Sequence, residues 1–197
     1  MENVNSLNYR KKQIDREKSA ISFSCVCKYA LRFRDHLSSF FDKCADGVNR
    51  ALNWARLNVD ERKTHLQKIF KHLMSFGGQN YDVELKLGGR HPTDNALGGA
   101  TAKKVALYDK LLGSSDYNQV VEVVAHEVGH VFQLNNAGTT LSKDTVDICY
   151  AHYVLPHESY EYYFENPIEA EAWIIGREVG RNFKQDLQKR SCPARAA

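Results

Sequence analysis

The stretch that decides the fold is VAHEVGHVFQ, residues 124–133, in which His126 and His130 lie four positions apart. On a helix, positions i and i+4 lie on one face about one turn apart, so both imidazoles can reach a single metal ion. Glu127 lies beside them, where its carboxylate can take a proton from a water molecule. We therefore predict a helix whose two histidines bind one catalytic Zn²⁺ ion, with Glu127 as general base.

The alternative is an ordinary amphipathic helix whose histidines face solvent. Most other positions between 120 and 132 are valine or phenylalanine, which predicts a largely buried segment. A buried imidazole without a partner is costly, and this favours a metal site. Valine-rich runs also favour strands, but the two histidines share a metal far more easily on a helix. Asp116 is the predicted N-cap, and the helix is expected to end before Gly138.

A catalytic zinc site has three protein ligands and one open position. Asn166 followed by Pro167 predicts the start of a second helix, since Asn is a favoured N-cap and Pro a favoured first residue. That helix carries two candidate ligands, Glu169 and Glu171. Glu169 also stands three residues after Asn166, where a glutamate can instead cap its own helix.

The HExxH motif and the later Glu169-Ala170-Glu171-Ala172 together resemble the gluzincin branch of zinc peptidases. In that branch a later helix carries a glutamate ligand, often as Glu-x-x-Ala or Glu-x-Glu-Ala. The resemblance implies that Glu169 is the third ligand and Glu171 the alternative. Aspartate often follows the alanine in such motifs, but Trp173 stands there in this chain. Any carboxylate that supports a ligand must then come from elsewhere.

The chain also loosely resembles the anthrax-lethal-factor-like peptidases, which include the Pro-Pro endopeptidases. They carry a tyrosine seven residues before the glutamate ligand, and Tyr162 holds that position. The resemblance implies that the Tyr162 hydroxyl stabilises the developing oxyanion. It covers about residues 100–180 and none of residues 1–75. Competing candidates for this role are Tyr150, Tyr153, Tyr160, Tyr163, His152 and His157.

The predicted fold class is α+β: a zincin-like metallopeptidase domain, mostly helical, with a small sheet whose edge strand precedes the HExxH helix. Residues 1–20 are predicted to be a flexible polar arm, and 21–190 a single catalytic domain. Its front part, 21–78, is helical, while 79–190 hold the sheet and the active-site helices. Strands are expected at 81–87, where polar and apolar residues alternate, and at 101–109. In zincins the strand at the latter place is often a sheet edge to which substrate adds.

Apolar residues at helical spacing predict helices over 22–44, 47–59 and 61–75, with Asp60 as N-cap of the third and Gly77-Gly78 as its stop. His65 and His72 flank the apolar stripe of that third helix, and we expect both at the surface. The apolar stripe of the last helix runs from Ile168 to Leu187. Within it, Gly176 and Gly180 would permit close packing against another helix.

The net charge of +3 is unevenly distributed. Residues 1–75 carry 15 basic and 8 acidic residues, whereas residues 111–176 carry ten acids against Lys143 alone. An acidic rim would attract cationic substrates; the alternative is a solvated acidic face plus the negative groups of a zinc site. The sequence has no apolar run long enough for a membrane span. Five scattered cysteines favour a reducing compartment.

These features predict a zinc-dependent endopeptidase acting on a protein or peptide substrate, with a basic substrate as one option. The expected location is the cytoplasm, or a host cell reached without a signal peptide, where the enzyme would act as a bacterial effector or toxin on a host protein. The alternative is a catalytically inactive zincin-fold module whose basic N-terminal half contacts nucleic acid or an acidic partner. We expect no nucleic acid, since no helix-turn-helix or zinc-finger pattern is present.

Overall fold

The structure is a computed structural model that describes residues 12, 23–78, 81–91, 96–135, 140–181 and 183–191. The predicted polar arm over 1–20 lies outside these residues except for Lys12. In chain order the elements are α1 (Phe23–Asp42), α2 (Ala45–Leu52), α3 (Val59–Leu73), β1 (Glu84–Leu87), β2 (Gly98–Thr101), β3 (Lys104–Leu107), α4 (Asp109–Leu112), α5 (Tyr117–Leu134), α6 (Lys143–Ala151), α7 (Tyr160–Glu165), α8 (Pro167–Gly180) and α9 (Phe183–Ser191). The predicted fold class, mostly helical with a small sheet, is confirmed. Among the described helices, none combines the length and apolarity that crossing a membrane requires.

The helical front part differs from the prediction in its second and third helices. The predicted helix over 47–59 is shorter, because α2 ends at Leu52 and a 3₁₀ turn spans Trp54–Arg56. The N-cap of α3 is Asn58 rather than Asp60. The Asn58 side chain accepts a hydrogen bond from the Glu61 amide at 3.0 Å, and the Glu61 carboxylate accepts one from the Asn58 amide at 2.9 Å. This reciprocal pair satisfies two amides that the first turn leaves without helical partners.

The prediction of a surface position is wrong for His65. Its side chain is fully buried between Trp54 and Tyr117, and its Nε2 lies 2.8 Å from the Tyr117 hydroxyl. The buried face of α3 is wider than its aliphatic stripe, because Trp54 and the first residue of α5 cover it. His72 is half-buried and stacks on His36 of α1, with ring centroids 4.2 Å apart.

The three strands form one sheet in the order β1-β3-β2, with β1 parallel and β2 antiparallel to β3. The strand predicted at 101–109 is β3, and it is the central strand rather than an edge. The edge strand that precedes α5 most closely is β2, of which only Thr101 falls within a predicted strand. Its Gly98-Gly99-Ala100-Thr101 sequence has no apolar alternation, so only its pairing with β3 reveals it as a strand.

Helices α5 and α8 form the centre of the molecule. Asp116 caps α5 as predicted, since its Oδ1 accepts a hydrogen bond from the Asn118 amide at 2.9 Å. Burial between α8 and the sheet overrides the strand propensity of the valines. The predicted close packing is confirmed, because a Cβ at Gly176 would lie 2.7 Å from the backbone oxygen of Glu122. The apolar stripe of 168–187 is divided between two helices, since α8 ends at Gly180 and α9 begins at Phe183.

Candidate metal centre

Helix α5 presents His126, Glu127 and His130 together in a buried position. The predicted helix is confirmed, and the two imidazoles converge, with His126 Nε2 and His130 Nε2 only 3.1 Å apart. One ligand atom from each of the three residues lies within 4.8 Å of the others. Because all three residues are at most 6% exposed, these histidines do not form the solvent-facing pair of the alternative interpretation.

Glu169 approaches the two histidines from the first turn of α8. Its Oε2 lies 3.4 Å from His126 Nε2, and its Oε1 lies 3.3 Å from His130 Nε2. The capping function falls to the Asn166 side chain, which accepts a hydrogen bond from the Ile168 amide at 3.2 Å. The carboxylate of Glu169 therefore faces the imidazoles instead of its own helix terminus.

Burial and neighbouring charges shift the pKa values of this cluster in opposing directions. Burial raises the pKa of Glu127 to about 8, with His130 opposing and Glu169 adding to the shift. Burial alone would lower the pKa of His130, but the charge and hydrogen bond of Glu169 outweigh it and raise that pKa to about 9. Burial likewise opposes ionisation of Glu169, yet His130 and His126 hold its pKa well below the ordinary value. Glu169 and His130 thus form a buried pair whose pKa shifts favour opposite charges.

The three donors fit a zinc ion. Tetrahedral zinc with nitrogen and oxygen ligands at about 2.0–2.1 Å separates its ligand atoms by about 3.3 Å. The separations among His126 Nε2, His130 Nε2 and the Glu169 oxygens are 3.1, 3.3 and 3.4 Å. Two imidazoles and one carboxylate are also the ligand types of catalytic zinc sites. The chain therefore holds a compatible donor set before any ion arrives.

Glu171, the alternative ligand, is bound elsewhere. It is fully buried, and its Oε1 accepts hydrogen bonds from the Thr140 amide at 2.7 Å and the Thr140 hydroxyl at 2.6 Å. Its Oε2 accepts a hydrogen bond from Gln133 Nε2 at 2.9 Å. Its two oxygens are engaged by these donors, whereas those of Glu169 face both imidazoles.

Several tyrosines surround the Glu169 carboxylate. Tyr153 donates its hydroxyl to Glu169 Oε1 at 2.5 Å, and Tyr163 lies near enough for the charge of Glu169 to raise its pKa. Burial, with the Glu169 charge adding to it, raises the pKa of both hydroxyls, so they remain protonated donors at neutral pH. The Tyr150 hydroxyl lies 3.5 Å from His130 Nδ1. Tyr162 is half-buried on α7, and its role at the oxyanion stays a prediction.

Sequence reasoning missed two residues that contact the site. A Cβ at Gly98 would lie 2.6 Å from Glu127 Oε1, so β2 approaches the carboxylate at this glycine. Gln133 Oε1 lies 2.8 Å from His130 Nδ1. The spacing of three residues from His130 to Gln133 could have revealed this contact, since such positions are neighbours on a helix.

Next to the site, Tyr108 is one of seven residues that line a cavity of about 340 Å³. Burial raises the pKa of Tyr108, and the nearby charge of Glu127 adds to the rise. The other residues that line the cavity are Gly89, Arg90, His91, Ala96, Asp109 and Lys110.

Comparison with known proteins supplies a family for this arrangement. The model of peptidase family M48 matches residues 60–176, which is more than half of the chain and includes both histidines, Glu127 and Glu169. No curated protein and no solved structure matches the chain. The finer resemblance to anthrax-lethal-factor-like or Pro-Pro endopeptidases is not confirmed. The chain belongs to peptidase family M48, whose members are zinc metalloproteases that hydrolyse peptide bonds.

Proposed function

We propose that this chain is a zinc endopeptidase in which His126, His130 and Glu169 bind the ion. The observation that carries the proposal is the position of the buried Glu169 carboxylate, 3.3 to 3.4 Å from both imidazole nitrogens. A carboxylate with only a structural role would not need to face two converging histidines in a site this deeply buried. Glu171 is the weaker candidate, because its oxygens already accept three hydrogen bonds.

The reaction divides between the ion and Glu127. Bound zinc supplies a Lewis acid that polarises a peptide carbonyl and lowers the pKa of a water molecule to about 7. Glu127 takes the proton as that water attacks, and it then donates the proton to the departing amine.

The tyrosines near Glu169 are the proposed stabilisers of the oxyanion. Tyr162 follows from the sequence resemblance, whereas Tyr153 donates its hydroxyl to the proposed ligand Glu169 and Tyr163 lies near the Glu169 charge. Replacing each of the three by Phe separates the candidates. The stabilising residue is expected to lower kcat by about 10²- to 10³-fold with little change in KM.

The proposed substrate is an extended segment of a protein that lies along β2. This strand is the outer partner of β3, and its Gly98 contacts Glu127, so a chain paired with β2 would pass beside the general base. A basic substrate is favoured because the acids of α6, of α7 and of the segment between them are exposed. They are Asp144, Asp147, Glu158, Glu161 and Glu165. Action on a host protein as a delivered effector stays a prediction.

The test is a Glu127→Gln variant assayed for zinc and for cleavage of basic and acidic peptide libraries. We expect one equivalent of zinc, as in the wild type, and kcat/KM lower by about 10²- to 10⁴-fold. Glu122→Gln is the matched control, since Glu122 lies on the same helix near Arg177 and outside the site. Full activity in a zinc-loaded Glu127→Gln protein would overturn the mechanism. A wild type that binds no zinc would overturn the whole proposal.

A further inference from the structure

We infer that Gln133 and Glu171 are positioning residues that hold His130 in the orientation needed for metal binding. The inference rests on the proposed function, because it assigns a supporting group to one of the proposed ligands. It starts from a buried chain of hydrogen bonds behind the metal centre. Gln133 and Glu171 are both fully buried, and neither contacts the space between the imidazole Nε2 atoms and Glu169.

The partners of Gln133 determine which way its amide points. Gln133 Nε2 lies 2.9 Å from the Ile168 carbonyl oxygen and 2.9 Å from Glu171 Oε2. A backbone carbonyl only accepts hydrogen bonds, so the amide nitrogen must be on that side. The amide oxygen therefore faces His130 Nδ1 at 2.8 Å and can only accept a hydrogen bond from it. His130 consequently carries hydrogen on Nδ1, and its Nε2 is the nitrogen available to an ion.

Glu171 in turn holds the side-chain amide of Gln133 in this orientation. Its Oε2 accepts from Gln133, while its Oε1 accepts from the amide and hydroxyl of Thr140 at 2.7 and 2.6 Å. Each oxygen of the buried carboxylate is thereby satisfied, which removes the cost of leaving it unpaired. Thr140 lies beyond the end of α5. The hydrogen-bonded link of His130, Gln133, Glu171 and Thr140 therefore joins α5, the start of α8 and the segment between them.

The spacing of residues along α5 and α8 explains why each helix carries both a proposed ligand and a positioning residue. His130 and Gln133 are three apart on α5 and lie on one face. Glu169 and Glu171 are two apart on α8 and lie on nearly opposite faces, so one carboxylate faces the histidines and the other backs Gln133. On the other histidine, Trp173 packs its ring 4.5 Å from the ring of His126. In the Glu-x-Glu-Ala motif this tryptophan takes the usual place of an aspartate, and the carboxylate support lies behind His130 instead.

The experiment measures zinc affinity by competition with a chelator, together with thermal stability, kcat and KM. Gln133→Met removes the acceptor from His130 Nδ1, and we expect the zinc Kd to rise by about 10- to 100-fold. Val121→Ala is the matched control, because Val121 is a buried residue of α5 outside the link. It should lower the melting temperature and leave the zinc Kd unchanged. A Gln133→Met protein with wild-type zinc affinity, or an equal loss in Val121→Ala, overturns the inference.

A milder variant keeps the test decisive if Gln133→Met does not fold. Thr140→Val removes the hydroxyl that donates to Glu171 Oε1 at 2.6 Å and keeps the backbone amide that donates to the same oxygen at 2.7 Å. We expect the zinc Kd to rise by about 10-fold, which is less than in Gln133→Met. A folded Thr140→Val protein with wild-type zinc affinity overturns the positioning role. If the wild type binds zinc and cleaves peptides while these variants match it, only this inference fails and the proposed function stands.

Discussion

Two buried histidines in this molecule, His65 and His130, have opposite electrostatic surroundings. His65 on α3 meets the Tyr117 hydroxyl and no carboxylate among its described contacts, and burial lowers its pKa to about 4. His130 on α5 meets Glu169, which raises its pKa to about 9 against the effect of burial. Burial alone therefore does not mark a metal ligand. The distinguishing feature is a second imidazole and a carboxylate that converge on the same space.

The largest expected effect comes from replacing His130 and His65 in separate variants. His130→Ala should abolish zinc binding and bring peptidase activity to background, because a proposed ligand is lost. His65→Phe should keep one equivalent of zinc. Zinc at 100 times its Kd should stabilise the wild type and His65→Phe by about 2.7 kcal/mol, and His130→Ala not at all. Calorimetry with and without zinc measures this difference. Loss of zinc from a folded His65→Phe protein would contradict this difference between His65 and His130.

The next effect concerns Glu127 and two adjacent glycines. In Gly98→Ala the new Cβ would lie 2.6 Å from Glu127 Oε1, so the general base must move. A shift of about 1 Å at a reacting group costs about 10²-fold in rate. In Gly99→Ala the nearest atom is the Tyr108 hydroxyl at 3.7 Å, and neither glycine has a positive φ. We expect kcat/KM to fall about 10²-fold in the first variant and to change little in the second. Equal activity in the two variants would contradict this placement of β2.

The pH dependence of stability should reveal His65. As pH falls below the ordinary value of 6.5, the unfolded chain takes up a proton that folded His65 refuses until about pH 4. The contribution of His65 is therefore intact above pH 6.5 and falls by about 3 kcal/mol on reaching pH 4. Urea unfolding in EDTA, compared between wild type and His65→Phe at pH 7, 5.5 and 4, measures it. If the difference in free energy of unfolding between wild type and His65→Phe stays constant with pH, folded His65 is accessible to protons and the prediction is wrong.

The sequence predicted the helices of the candidate metal centre better than the surroundings of His65. Helix α5 and the start of α8 were predictable because helical spacing and an Asn-Pro helix start act locally, whereas the choice of Glu169 over Glu171 came from the resemblance to the gluzincins. The burial of His65 was not predictable, because the residues that cover it, Trp54 and Tyr117, lie 11 and 52 positions away in the sequence. Strand β2 was missed for the same reason, since its glycines carry no pattern and pairing with β3 defines it. The tyrosines near Glu169 lie in a stretch where five aromatic candidates compete, so only tertiary contacts distinguish them.

The smallest expected effect tests how α3, the helix that carries His65, begins. Asn58→Ala removes the side chain that accepts from the Glu61 amide, and such changes cost about 1 kcal/mol. Asp60, the N-cap predicted from sequence, lies in the first turn and acts only through the helix dipole, so Asp60→Ala should cost about 0.3 kcal/mol. Urea unfolding of the two variants at pH 7 compares them. A larger loss of unfolding free energy in Asp60→Ala than in Asn58→Ala would contradict Asn58 as the N-cap and support Asp60. The ordering expected here would show that α3 begins where Asn58 and Glu61 satisfy each other's amides, which is two residues before the position that local propensity favoured.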